Sequence, residues 1–261
     1  MLTKILPLRI LTTVAVLGLC AGVATAETAP AAGAAPKMEA HALDLLKRAA
    51  DKISATRAFT VQTDGSVEMA APTGQTLTLF AKGKVAVQRP NKLAAVINGE
   101  TRTMEIYYDG AQLTSFAPEH GLYAQTAAPA SLDELMPFIF EKVGVVFPFE
   151  EFLYKDVYAD MTKNMTSAFT VGPALVNGIA CEHLAFAGPD VEWEIWLGPA
   201  DRPLPRRLTA TFVNLPRRPH FVVDYTNWQL LSGLSENRFV FKKPADAQRV
   251  EFRPMSDASK P

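Results

Sequence analysis

The chain has 261 residues, 48% of them hydrophobic, so it carries enough apolar surface for a sizeable core, and its formal charge at pH 7 is −1. That balance leaves no basic excess to neutralise phosphates, which excludes nucleic acid as the expected partner. Of its two cysteines only Cys181 lies beyond the N-terminal region, so stability must come from burial and not from an internal disulfide.

Residues 1–26 read as a secretory signal peptide. Lys4 and Arg9 precede the apolar, uncharged run Ile10 to Val23, and Ala24-Thr25-Ala26 supplies the small residues of a cleavage site before Glu27. An uncleaved anchor is the rival reading, since Ile5 to Val23 approaches spanning length, but Pro7 and Arg9 interrupt it. Cys20 would suit a lipid-modified lipoprotein, except that Leu19 stands where such signals carry a small residue. The expected location is periplasmic, with cleavage after Ala26. Losing Lys4 and Arg9 with that leader takes the charge to −3.

Residues 27–37 are rich in Ala, Pro and Gly and are expected to form a flexible leader. Lys37 to Thr56 reads as an amphipathic helix. Leu43, Leu46, Ala50 and Ile53 form its stripe beside Leu45 and Ala49, while Asp44, Lys47, Arg48, Asp51 and Lys52 cover its back.

From Ala58 the period becomes two. Phe59, Val61, Val67 and Met69 flank Thr63-Asp64-Gly65, which reads as a turn. Leu77, Leu79, Val85 and Val87 flank Lys82-Gly83-Lys84, which suggests a bulge or bend. Hairpin signals follow at Asn98-Gly99 and Asp109-Gly110, and Pro118 to Gly121 turns toward Tyr123. Short strands joined by tight turns predict an antiparallel meander.

Ser131-Leu132-Asp133-Glu134 is a capping box that opens a helical segment. Twelve of the nineteen residues from Leu135 to Leu153 are apolar. Pro137 is expected to kink or split this helix, and Gly144 and Pro148 to divide it again, with a further helical turn or loop over Tyr158 to Asn164.

Ala168 to Val171 resumes the strands. Val176 to Val213 then reads as three antiparallel strands around the Asn177-Gly178 hairpin turn, with further turns at Gly188-Pro189-Asp190 and Gly198 to Pro203. Val191, Trp193, Ile195 and Leu197 alternate with Glu192, Glu194 and Trp196. Leu204, Leu208, Ala210 and Phe212 oppose Arg207, Thr209 and Thr211. Phe221, Val223 and Tyr225 form another strand, ended by Asn227-Trp228. Arg238 to Phe241 and Arg249 to Phe252 are the last short strands, and residues 254–261 are expected to be a disordered tail.

Catalytic chemistry is sparse. Cys181 and His183 share a strand face, but a nucleophilic cysteine needs a base and an oxyanion donor, so a small buried thiol is the plainer reading. Glu192 and Glu194 could pass for a glycosidase pair, yet their alternation fits a solvated face opposite Arg207. His41, His120, His183 and His220 are scattered, so no metal and no cofactor is expected. Gly233-Leu234-Ser235-Glu236-Asn237 lacks the second glycine of a nucleophile elbow, and there is no glycine-rich phosphate loop.

What remains is apolar surface. A sheet face carries Trp193, Ile195, Leu197, Leu208, Phe212, Phe221 and Val223. The interrupted helical segment carries Met136, Phe138, Ile139, Phe140, Val143, Phe149, Phe152 and Leu153. The two either pack as a plain core or form the wall and lid of a cavity for an aliphatic ligand, and the breaks at Pro137, Gly144 and Pro148 favour the lid. The candidate ligand-binding residues are Met136, Phe138, Phe140, Phe149, Phe152, Trp193, Ile195, Leu208, Phe212, Phe221 and Val223.

The combination of Val176, Gly178, Cys181 and Leu184, then Trp193, Ile195 and Trp196, then Pro203, Leu204, Pro205 and Arg207, and finally Phe239, Phe241 and Pro244 resembles predicted periplasmic proteins grouped as domain of unknown function 2092. That family in turn resembles the LolA-like superfamily, whose members carry lipoproteins or lipids across the periplasm. The resemblance implies an α+β, mainly β fold: a curved antiparallel half-barrel with helices on its concave side. Together with the strand pattern it predicts one domain over residues 38–253, with roughly ten strands. It further implies a non-enzymatic binder or carrier for the acyl chains of lipids or lipoproteins. The alternative is a lipoprotein-sensing or scaffold module that acts through contact with a membrane-bound partner protein. A Cys181/His183 hydrolase is the third reading.

Overall fold

The structure, a computed structural model, describes residues 38–143 and 150–252. The expected signal peptide (1–26), leader (27–37) and tail (254–261), and the breaks at Gly144 and Pro148, lie outside those residues. The described residues fall within one compact unit.

Helix α1 (Ala40–Ser54) opens it and buries Ala42, Leu46, Ala49, Ala50 and Ile53 on one stripe. Six strands follow: β1 (Ala58–Ala70), β2 (Thr76–Gln88), β3 (Lys92–Gly99), β4 (Thr103–Tyr108), β5 (Gln112–Ala117) and β6 (Leu122–Ala127). Helices α2 (Leu132–Val143) and α3 (Val157–Thr162) come next, with a 3-10 turn at Glu150–Phe152 between them. The second run is β7 (Ser167–Val176), β8 (Ile179–Ala187), β9 (Val191–Leu197), β10 (Pro205–Phe212), β11 (His220–Leu231) and β12 (Gln248–Val250). They make one curved, open, mainly antiparallel sheet in the order β12-β6-β5-β4-β3-β2-β1-β11-β10-β9-β8-β7. Only β12 on β6 is parallel among its ladders. The fold is mainly β and antiparallel, as the strand pattern predicts, and curved, as the resemblance implies; among the described residues it has twelve strands where roughly ten were expected.

Hairpin chemistry acts at two of the three dipeptides; Asn98-Gly99 instead ends β3 as paired strand, with the turn at residues 100–102. Asn177 and Gly178 both take positive φ, 49° and 77°, between β7 and β8. Asp109 accepts the Ala111 and Gln112 amides through Oδ1, and Gly110 sits at φ 100°.

Four local readings are corrected. Thr63-Asp64-Gly65 is no turn: β1 runs straight through it, and Gly65 is there because β11 comes close. A Cβ on Gly65 would stand 2.3 Å from the Val222 carbonyl oxygen. Lys82-Gly83-Lys84 holds no bulge, since the ladders to β1 and β3 keep register; a Cβ on Gly83 would meet Thr63 Oγ1 at 2.3 Å. Asn227-Trp228 does not end β11. The two residues oppose the single Val61 as a bulge, with Asn227 at φ 52°, and the strand continues to Leu231. Arg238 to Phe241 is not a strand. A 3-10 turn there lets Phe241 pack against Tyr107, Phe116 and Tyr123 at 5.2–5.7 Å. Gly65→Ala should destabilise the protein by about 1–3 kcal/mol, because backbone must yield, whereas Gly83→Ala displaces only a hydroxyl. Paired thermal melts check the difference.

One sheet face, termed inner, carries the main core. Phe59, Val87, Leu93, Tyr108 and Leu113 lie side by side on it through successive registers, and α1 and α2 pack against it. Ser131 caps α2, accepting the Glu134 amide at 3.3 Å and donating to its carboxylate at 2.9 Å. Pro137 does not split α2. Its missing donor costs about 3 kcal/mol inside a helix, and burial of Leu132, Leu135, Met136 and Ile139 outweighs it. Beyond α2, Arg89 pins the chain by donating to the carbonyls of Phe152, Leu153 and Tyr154 at 2.7–2.9 Å. Burial lowers the Arg89 pKa, as expected of a guanidinium held mainly by carbonyls.

Candidate functional site

The candidate residues divide into three groups. Met136, Phe152, Ile195, Leu208, Phe221 and Val223 are buried. Phe138, Trp193 and Phe212 are partly buried against the same core, and Phe140 is 50% exposed. Phe149 lies outside the described residues. Phe152 stands edge-on to Tyr225 at 5.4 Å and to Trp228 at 6.1 Å, inside the core.

The sheet residues come together because β9, β10 and β11 pair in register. Ile195, Leu208 and Val223 form one row, and Trp193, Ala210 and Phe221 the next. The second row continues across β1 and β2 through Val67 and Leu79, with Met69 and Leu77 paired beside them. Here the inner face is open. Val67, Met69, Leu77 and Leu79 are 43%, 48%, 44% and 36% exposed. Period-two alternation marks all four as inward-facing, but nothing in it separates them from core positions. Helix length decides that, and the described helices leave this end uncovered.

The other end of the strip enters a cavity of about 210 Å³. Trp193, Leu208, Ala210 and Val191 form its sheet wall, and Met161, Met165, Asp160 and Glu151 close it from the helical side. Trp193 is stacked on Phe186 at 4.1 Å, which fixes its ring. Glu151 lines the cavity as a partly buried residue, and its Oε2 is sealed without a hydrogen-bond partner. Burial, reinforced by the Glu150 and Asp160 carboxylates and only partly offset by a backbone N–H, pushes the Glu151 carboxyl up to about 8. Glu150 and Asp160 are themselves raised, by burial first. Nothing in the sequence pattern marks Glu151, because its burial depends on tertiary packing around the Glu150–Phe152 turn.

These shifts have a stability consequence. A carboxyl that is neutral when folded and ionised when unfolded stabilises below its unfolded pKa, and that contribution is lost as pH rises toward the folded one. Glu151 alone should therefore lower stability by up to about 1.4 kcal/mol per pH unit between pH 5 and 8. Glu151→Gln is expected to flatten that slope in melts across this range. An unchanged slope would place the ionisation elsewhere.

On the opposite, outer face, Cys181 and His183 do not form a thiol–imidazole pair. His183 Nε2 lies 2.6 Å from Glu194 Oε2, its ring is stacked on Trp196 at 3.9 Å, and the Cys181 thiol donates to the Ile179 carbonyl. Burial pushes that thiol up, away from the thiolate a nucleophile requires. Arg207 does not face the glutamates either. It holds Asp224 of β11 through two bonds, while Glu192 pairs with Arg218.

The fold and this strip define a curved antiparallel-sheet protein that bears an apolar inner face and one acid-lined cavity. Residues 42–253 match the family described as "Predicted periplasmic protein (DUF2092)", and the chain belongs to that family. No protein of curated function matches the sequence. Among solved structures the chain is similar to LprF from Mycobacterium bovis, with 10% identity over 82% of this chain and 100% of that one and a TM-score of 0.47. It is also similar to LppX from Mycobacterium tuberculosis, with 11% identity over 76% and 100% and a TM-score of 0.47. A LolA superfamily protein from Nitrosomonas europaea gives 14% identity over 77% and 97%, with a TM-score of 0.37.

Proposed function

We propose that the protein is a periplasmic, non-enzymatic binder of aliphatic chains, the acyl chains of lipids or of lipoproteins. One observation carries the reading: a row of apolar side chains that lines the Trp193–Leu208 cavity at one end, is buried at Phe221 in its middle and is open at the pairs Val67–Leu79 and Met69–Leu77. It crosses β9, β10, β11, β1 and β2, four strand spacings or roughly 19 Å, which suits an extended chain better than a compact substrate. Each buried methylene is worth ~0.8 kcal/mol, so about fifteen give at most ~12 kcal/mol before ordering costs. The family's description as periplasmic agrees with a binder in that compartment.

Native mass spectrometry of protein purified without detergent tests this, together with titration of a fluorescent fatty acid. Co-purifying lipid and saturable binding are expected. Absence of both would overturn the reading.

A further inference from the structure

The cavity at the inner end of the strip is not a plain acyl pocket. Apolar residues share its lining with acids, Glu151 and Asp160 from the helical side and Asp190 from the β8–β9 turn, and among the described residues Lys163 is the one cation that lines it. Glu151 is the decisive one, with Oε2 sealed from solvent and unpartnered. A buried polar atom without a partner costs about 1–3 kcal/mol, so its retention calls for an explanation.

A ligand carboxylate or phosphate would meet repulsion here, and a neutral ester would leave the crowded acids unrelieved. Among the described residues no three acids, histidines or cysteines converge as a metal set. A carboxyl on the wall of a cavity that also bears Trp193, Leu208 and Ala210 suits a monovalent organic cation carried on an aliphatic stem, and the fixed Trp193 ring offers that cation a π face.

We propose that this cavity selects an aliphatic ligand by its ammonium head group, with Glu151 as the counter-ion. The inference rests on the aliphatic-chain reading above. The charged groups that act on Glu151 are Glu150 on its own turn and Asp160 of α3, and both favour its neutral form, while the nearby Tyr154 and Tyr225 hydroxyls stay neutral in this range. Near pH 7 the empty site therefore holds a proton that an incoming ammonium drives off.

The test is calorimetric titration of decylamine, decanol and decanoate at pH 7, in two buffers of different ionisation enthalpy. Decylamine should bind at least about tenfold more tightly than the other two, as expected for a largely desolvated ion pair, and should release close to one proton. Glu151→Gln should bring the amine within about threefold of decanol while decanol binding persists, which also reports that the variant is folded. Decanol or decanoate binding as tightly as decylamine, amine binding without proton release, or an amine preference that survives in Glu151→Gln would each overturn the proposal. Should that variant fail to fold, the proton count on the unsubstituted protein decides. Binding of none of the three probes would instead overturn the aliphatic-chain reading itself.

Discussion

Substituting Val67→Lys together with Leu79→Asp is expected to weaken binding of a fluorescent acyl probe by at least about a hundredfold, with the fold intact. The two residues face each other directly across β1 and β2 on the inner face, and both are substantially exposed. Full burial of an apolar side chain is worth about 1.5–3 kcal/mol, so covering the 43% and 36% still open here gives roughly 1.2–2.4 kcal/mol for the pair. About 1.4 kcal/mol is a factor of ten, and the cost of desolvating the two introduced charges supplies the rest. Opposite charges on facing strand positions support the ladder, so this pair removes the apolar surface without setting like charges against each other. Phe80→Asp is the control. Phe80 is 56% exposed on the same strand, one residue along and therefore on the outer face. It should leave binding within about twofold, since surface changes away from the site cost little. Equal losses from both would mean that the strip has no special role.

Phe152→Ala should be the most damaging single substitution, costing about 3–5 kcal/mol in stability. For a domain of this size that lowers the melting temperature by roughly 6–20 °C. The ring is buried edge-on to Tyr225 and Trp228, and its carbonyl accepts from Arg89, so truncation opens a cavity where three elements meet. A melting temperature lowered by only a degree or two would show that Glu150–Phe152 moves freely away from the sheet. The lid idea would then extend to this turn; with the large loss, any movable cover lies outside it.

Much of this arrangement was legible in the residues. Asn177-Gly178 and Asp109-Gly110 demand positive φ, and Ser131 with Glu134 announces a helix start, because those side chains act through their own backbone. The faces of β9 and β10 were legible because burial on one side enforces a period of two. What failed was long-range. Gly65 and Asn227 carry turn chemistry, but one is small because β11 approaches and the other absorbs an extra residue opposite Val61. Phe241 alternates like a strand residue, yet it caps an aromatic patch on the outer face. Pro137 predicted a break in a helix whose packing outweighs it. Of the candidate residues Trp193 and Leu208 line the cavity, whereas Glu151, which lines it too, carries no signal in the sequence pattern. Nor could that pattern mark Val67 and Leu79 as open rather than filled, since exposure depends on how far the helices reach across the sheet.

The central claim is that an aliphatic chain lies along the inner face from the Glu151 cavity to the β1–β2 end. Photo-cross-linking with an acyl chain that carries a diazirine near its terminus, followed by peptide mapping, tests it most directly. Adducts on Val67, Met69, Leu77 or Leu79, suppressed by unlabelled ligand, are the predicted result. Adducts confined to Phe169, Val171 and Leu175 of the edge strand β7, or insensitive to competitor, would contradict it.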